Sequence, residues 1–145
     1  MRIAVIDGQG GGIGSAIIRR LKDEYGEKIE IWALGTNAIA TAAMMKARAN
    51  RGATGENAIV RSVSRVEIVI GTISLVMAHA MMGELTPAMA EAVAAASARK
   101  MLIPLTQENL TVVGVQKDHL PILIDYLIPL INEEMAKNVR SECLY

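Results

Sequence analysis

The sequence predicts a three-layer α/β fold built on a mostly parallel sheet, and three observations carry that expectation. Short, largely apolar runs recur at Ile3–Ile6, Ile29–Leu34, Val66–Ile70 and Lys100–Leu105, the pattern of strands buried on both faces. Segments with helical spacing or dense alanine separate them, so each strand is followed by a crossover. The stretch Arg2 to Leu21 reads as strand, glycine loop and helix in immediate succession.

The order expected is 2-1-3-4 in parallel, with helices on both faces and right-handed crossovers. A fifth strand, Leu110 to Val115, follows the fourth after only Thr106–Asn109, too short a gap for a helical crossover. It is expected to return antiparallel through a hairpin and lie at an edge. Pro104 fits a strand end or edge. With 145 residues, 52% of them hydrophobic, the whole chain 1–145 reads as one domain able to bury a substantial core.

The glycine loop sets the functional expectation. After the strand ends at Asp7, Gly8, Gly10, Gly11, Gly12 and Gly14 supply five glycines in seven residues, and the helix begins near Gly12. Such a loop presents unpaired N–H groups and the positive end of a helix dipole to one small volume, where an anion is favoured. Gly8, Gly12 and Gly14 match G-x-x-x-G-x-G, the dinucleotide loop of short-chain dehydrogenases, better than G-x-G-x-x-G, whose third glycine would fall on Ile13. A P-loop is excluded because Gly14, Ser15 and Ala16 provide no lysine for the β/γ-phosphates. Three roles follow. Gly8 serves a sharp strand exit, Gly10 to Gly12 close ligand approach, and Gly14 tight packing of helix on sheet.

Asp7 complicates this picture, since a carboxylate beside a phosphate repels it. It must cap the loop's own N–H groups, turn away, or share a Mg²⁺ with the ligand. The end of the second strand, Gly35, Thr36 and Asn37, carries neither the acid that holds an adenine ribose nor a base for a 2′-phosphate. Together with Gln9 in the loop and Thr72 after the third strand, Thr36 and Asn37 are the polar contacts expected around the ligand.

Along the rest of the chain, Gly26 ends the first helix, and Thr36 or Asn37 caps a second that runs to about Asn50. That helix is apolar on most sides, from Ala38 through Ala47, and wants a second partner. Arg51–Asn57 reads as a loop, followed by a short helix from Ala58. Leu75–Leu85 reads as an apolar, methionine-rich helix in which His79 and Glu84 form a conceivable acid–base pair, although a lone His there is more often packed. Thr86 and Pro87 start an alanine-rich helix. A final helix runs from about Leu120 to Lys137, capped by Asp118, with Ile122, Leu123, Tyr126, Leu127, Leu130 and Ile131 inward and a kink at Pro129.

Composition narrows the partners. Fifteen basic and fifteen acidic residues leave no electrostatic footprint for nucleic acid, and no stacking platform interrupts the chain. A single cysteine, Cys143, excludes an intrachain disulfide, a CxxC or a zinc cluster and suits a reducing compartment. The longest apolar region, Ile68 to Met82, is shorter than a bilayer span, so a cytoplasmic protein with no membrane partner is expected. The surplus of apolar helix faces points to a homodimer or higher homo-oligomer through Ala38–Ala47 or Leu75–Met82.

The motifs IAVIDGQGGGIG, ALGTNAIAT, RGATGENAIV and GELTP, with the strand near residue 103, also resemble a small uncharacterised bacterial family, a domain of unknown function found largely in anaerobic Firmicutes. The resemblance spans essentially the whole chain. It implies a Rossmann-like fold and a cytoplasmic location, without a substrate or an activity.

The expected function is binding of a nucleotide, a dinucleotide such as NAD(P), or another small phosphorylated ligand at Asp7–Gly14. The alternatives are an NAD(P)-dependent oxidoreductase of short-chain-dehydrogenase type and an oligomeric scaffold without a ligand. The first alternative lacks its catalytic Tyr-x-x-x-Lys, because Ile29 and Leu130 lie four residues after Tyr25 and Tyr126, and Tyr145 is terminal.

Overall fold

The computed structural model describes residues 1–144. Strands β1 (Arg2–Asp7), β2 (Glu30–Gly35), β3 (Arg51–Thr54), β4 (Ile68–Thr72) and β5 (Arg99–Ile103) form one sheet in the order β3-β2-β1-β4-β5. Every neighbouring pair is parallel. Helices α1 (Gly12–Tyr25), α2 (Ala38–Lys46), α3 (Glu56–Ser62) and α4 (Pro87–Ala95) make the crossovers, and α5 (Leu120–Asp125) and α6 (Leu127–Glu142) close the chain.

Alternation along each strand sends successive side chains into two different cores. Ile3, Val5, Ile31, Ala33, Ile68 and Ile70 face α1, α2, α5 and α6, packing on Ile17, Ile18, Leu21, Met44, Leu127 and Ile131. Ala4, Ile6, Trp32, Leu34 and Val69 face the opposite layer, with Ile59, Leu75, Leu85, Met89 and Val93. The three-layer expectation and the order of the four long strands hold on this evidence.

The antiparallel edge strand does not. Leu110–Val115 is exposed and irregular, with Val113 93% exposed and Gly114 at φ 83°. The residues read as a hairpin turn are tied elsewhere: Thr106 Oγ1 lies 2.8 Å from Ser74 Oγ, and Glu108 Oε1 accepts the Met81 N–H at 3.0 Å. These bonds draw the chain across the C-terminal end of the sheet, so it never turns back along β5. β-branched residues favour a strand only where a half-buried pleated surface awaits them, and here none does.

The fifth strand is instead β3, within the segment read as a loop. It has four residues, its Gly52 packs on Met45, and it pairs with β2 alone.

Local signals explain other elements. Asn37 caps α2 by accepting the Ala40 N–H at 2.9 Å, and Thr86 caps α4 by accepting the Met89 N–H at 3.2 Å. α2 ends at Lys46 rather than near Asn50, because Arg48 turns to φ 83° to enter β3. Leu75–Leu85 is not a helix. After a 3₁₀ turn at Ile73–Val76 the backbone is left-handed at His79, Met81, Met82 and Gly83.

The terminal helix breaks at Tyr126, one turn before Pro129, where proline supplies no N–H to the preceding turn and its ring crowds the Asp125 carbonyl. Ile122 and Tyr126 therefore face outward, 43% and 53% exposed. His119, not Asp118, is the N-cap residue, and Asp118 accepts the Tyr126 hydroxyl at 2.9 Å.

Candidate functional site

The C-terminal ends of β1, β2 and β4 converge where the connections diverge to opposite faces of the sheet, between β1 and β4. Ligands in open parallel sheets sit at this switch point. A pocket of about 250 Å³ opens there, lined by Asp7, Gln9 and Ile13 from the glycine loop, Thr72 and Ser74 from the end of β4, Met81, and Leu105–Glu108.

The five glycines of the loop divide by what surrounds them. A Cβ on Gly8 would lie 2.6 Å from Thr36 Oγ1, and one on Gly14 would lie 2.6 Å from Met44 Sδ and 2.9 Å from Asp7 Cβ. Gly11 is left-handed at φ 72°, and a Cβ there would lie 2.8 Å from the carbonyl oxygen of Ala40. These three serve packing and backbone geometry. A Cβ on Gly10 or Gly12 meets nothing within 4 Å. Gly14 thus has the packing role expected of it, Gly11 closes α1 on α2, and only Gly10 and Gly12 of the five have open space before them.

Asp7 caps the loop. Its Oδ1 accepts the Gly8 N–H at 2.8 Å and its Oδ2 the Gly14 N–H at 2.7 Å, within the first turn of α1. The side chain is buried. That burial raises its pKa above the ordinary carboxylate value, aided by the nearby charge of Glu84 and opposed by the N–H groups of Gly14, Gly8 and Ile13.

A second carboxylate reaches the loop from the β4–α4 connection. Glu84 Oε1 accepts the Gln9 N–H at 2.9 Å, the Thr36 hydroxyl at 2.7 Å and the Asn37 side-chain N–H at 2.7 Å. Burial pulls its pKa upward, but the three donors from Gln9, Thr36 and Asn37 outweigh it and hold the carboxyl below its usual range. Asn37 also donates to the Gln9 carbonyl at 3.0 Å, and the Thr36 N–H donates to the Asp7 carbonyl at 3.0 Å, so the ends of β1 and β2 are stitched together.

The residues expected at the site fall into two adjoining groups. Asp7, Gln9, Ile13 and Thr72 line the pocket, while Thr36 and Asn37 lie on the β2 side and meet Gln9 through Glu84. Gly8, Gly11 and Gly14 shape the loop. Glu84 was legible only as a half of an acid–base pair with His79, and no hydrogen bond joins those two side chains among the described residues. His79 is exposed. Ser74 lies at the strand end where a ligand is expected, while Thr106–Glu108 escaped the sequence reading, since only the tertiary path of residues 104–108 brings them to the pocket.

The parallel order, the helices on both faces and the switch-point pocket define a doubly wound α/β domain with an all-parallel sheet. The chain belongs to the family described as a domain of unknown function, DUF3842, which matches residues 2–136. No curated protein and no solved structure matches it. Among the described residues, no helix is long and apolar enough to cross a membrane.

Proposed function

We propose that this protein binds a nucleotide or another small phosphorylated ligand at the switch point, with the phosphate over Gly10 and Gly12. One observation carries the reading. The two loop glycines that packing does not require are the two with open space before them, at and just before the start of the 14-residue helix α1. Their N–H groups donate to no atom of the described residues, whereas those of Gly8, Gln9 and Gly14 are taken by Asp7 and Glu84.

Electrostatics and size refine the ligand. Two carboxylates beside the loop oppose a highly charged polyphosphate, and the pocket beside it, which Gln9 and Ile13 line but Gly10 and Gly12 do not, has about 250 Å³, less than most drug-sized sites. A mononucleotide-sized molecule with a single phosphate suits both better than a dinucleotide. The dehydrogenase alternative gains no support from Tyr25, whose hydroxyl donates to the Ile128 carbonyl and sits 2.8 Å from Asn132 Oδ1 at the far end of α1.

A thermal-shift screen of NAD(H), NADP(H), ATP, GTP and nucleoside monophosphates tests the reading. A ligand at 100 times its Kd stabilises the native state by about 2.7 kcal/mol, which raises Tm by about 5–10 °C for a domain of this size. No shift with any of them would return the loop to a purely structural role.

Self-association through α2 belongs to the same reading, because Ala38, Ile39, Ala42 and Met45 remain exposed on its outer side, Ile39 by 73%. The Leu75–Met82 segment offers less, with Leu75 and Ala80 buried. Light scattering should report a dimer that Ile39→Lys converts to monomer; a wild-type monomer at high micromolar concentration contradicts it. The exposed free thiol of Cys143 fits a reducing, cytoplasmic setting.

A further inference from the structure

In parallel-sheet nucleotide sites an acid at the end of the second strand takes the hydroxyls of the ribose. Here β2 ends in Gly35, Thr36 and Asn37, without an acid. The chain nevertheless places one at that position, from 48 residues further on: Glu84, whose Oε1 is 2.7 Å from Thr36 Oγ1.

We propose that Glu84 is the sugar-binding carboxylate of this site, accepting the ribose hydroxyls of a nucleotide whose phosphate lies over Gly10 and Gly12. The inference rests on the phosphate-binding reading of the loop. Three features lead to it. The carboxylate is fixed by donors from two elements, Gln9 in the glycine loop and Thr36 with Asn37 after β2, all on Oε1. Its other oxygen, Oε2, has no hydrogen-bond partner among the described residues. No buried side-chain oxygen or nitrogen there lacks a partner, so Oε2 is not fully buried.

Gln9, which holds the carboxylate through its N–H, is the residue next to Gly10, so the acid and the phosphate seat adjoin along the loop. An ionised carboxylate is an acceptor only, and a vicinal diol offers it two donors. A sugar bearing a 2′-phosphate would meet like charge, and no lysine or arginine forms an ion pair with Glu84 among the described residues to relieve it.

Isothermal titration of the full chain with the 5′-monophosphates of adenosine, guanosine, cytidine and uridine, and with their 2′,3′-dideoxy counterparts, tests this. Wild-type protein should bind at least one ribonucleotide about 10- to 100-fold more tightly than its dideoxy form, the range expected for losing hydrogen bonds to a charged group. Glu84→Gln should remove most of that preference, read as the ratio of ribo to dideoxy affinity within the variant, so that any change in phosphate affinity common to both nucleotides cancels. Equal affinities of wild type for the ribo and dideoxy forms would overturn the sugar assignment and leave the phosphate site standing, as would a full diol preference kept by Glu84→Gln. Absence of heat with all eight nucleotides would overturn both. The wild-type comparison needs no variant, so a folding defect in Glu84→Gln does not blunt it.

Discussion

Asp7 Oδ2 accepts the Gly14 N–H at 2.7 Å, joining the last residue of β1 to the first turn of α1 across the glycine loop. With the Gly8 N–H on the other carboxylate oxygen, the loop is closed on itself by one side chain. Asn at this position keeps only one acceptor oxygen and turns an N–H₂ toward the second donor. Asp7→Asn should therefore cost about 1–3 kcal/mol in denaturant unfolding, the cost of leaving a buried donor unpaired. A variant as stable as wild type would remove Asp7 from the architecture of the loop.

Acid should affect the two loop carboxylates in opposite senses. The folded pKa of Asp7 is raised, so its titration adds stability as pH falls through that value and levels off below the unfolded value of about 3.9. The stability gap between wild type and Asp7→Asn should widen on the acid side. The folded pKa of Glu84 is lowered, so its contribution is present above the unfolded value of about 4.3 and disappears as pH falls through the folded one. Thr36→Val, which removes one of its donors, should be most destabilising near neutral pH and progressively less so in acid. Urea midpoints measured from pH 7 to pH 3 check both; a parallel course for the two variants would contradict the assignment.

Alanine at Gly14 and at Gly10 should behave differently. At Gly14 the added methyl meets Met44 Sδ at 2.6 Å and Asp7 Cβ at 2.9 Å, and a loss of about 1–3 kcal/mol is expected, with the losses of Gly14→Ala and Met44→Ala less than additive in the double variant because each relieves the other. At Gly10 it meets nothing, and Gly10 is not among the glycines with positive φ, so stability should be unchanged within about 0.5 kcal/mol. Thermal unfolding of wild type and these variants decides it. Equal losses at Gly10 and Gly14 would erase the division of the loop into packed and open glycines.

The parts of the fold that the sequence made legible are those whose signal is local. Ile3–Ile6 reads as a buried strand without its partners, Gly12 and Gly26 bracket α1, and Asn37 and Thr86 announce the caps of α2 and α4. What stayed hidden depends on tertiary contacts. Arg51–Thr54 is too short and too exposed to show a strand period and becomes β3 only because β2 lies beside it. Leu110–Val115 has strand composition but loses its hairpin to the Thr106–Ser74 and Glu108–Met81 bonds.

The candidate site divides in the same way. Its loop was visible in the spacing of glycines, while Glu84 reaches Thr36 through a turn that no periodicity encodes, with four left-handed residues between His79 and Gly83.

Gly12 offers the most direct measurement. It carries no positive φ, begins α1, and faces open space, so Gly12→Val should fold with nearly wild-type stability while filling the volume above the helix N-terminus. Isothermal titration of both proteins with the nucleotide that gives the largest thermal shift should show one binding event for wild type and none for Gly12→Val. Equal heats from the two proteins would place the ligand elsewhere and contradict a phosphate seat over Gly10 and Gly12.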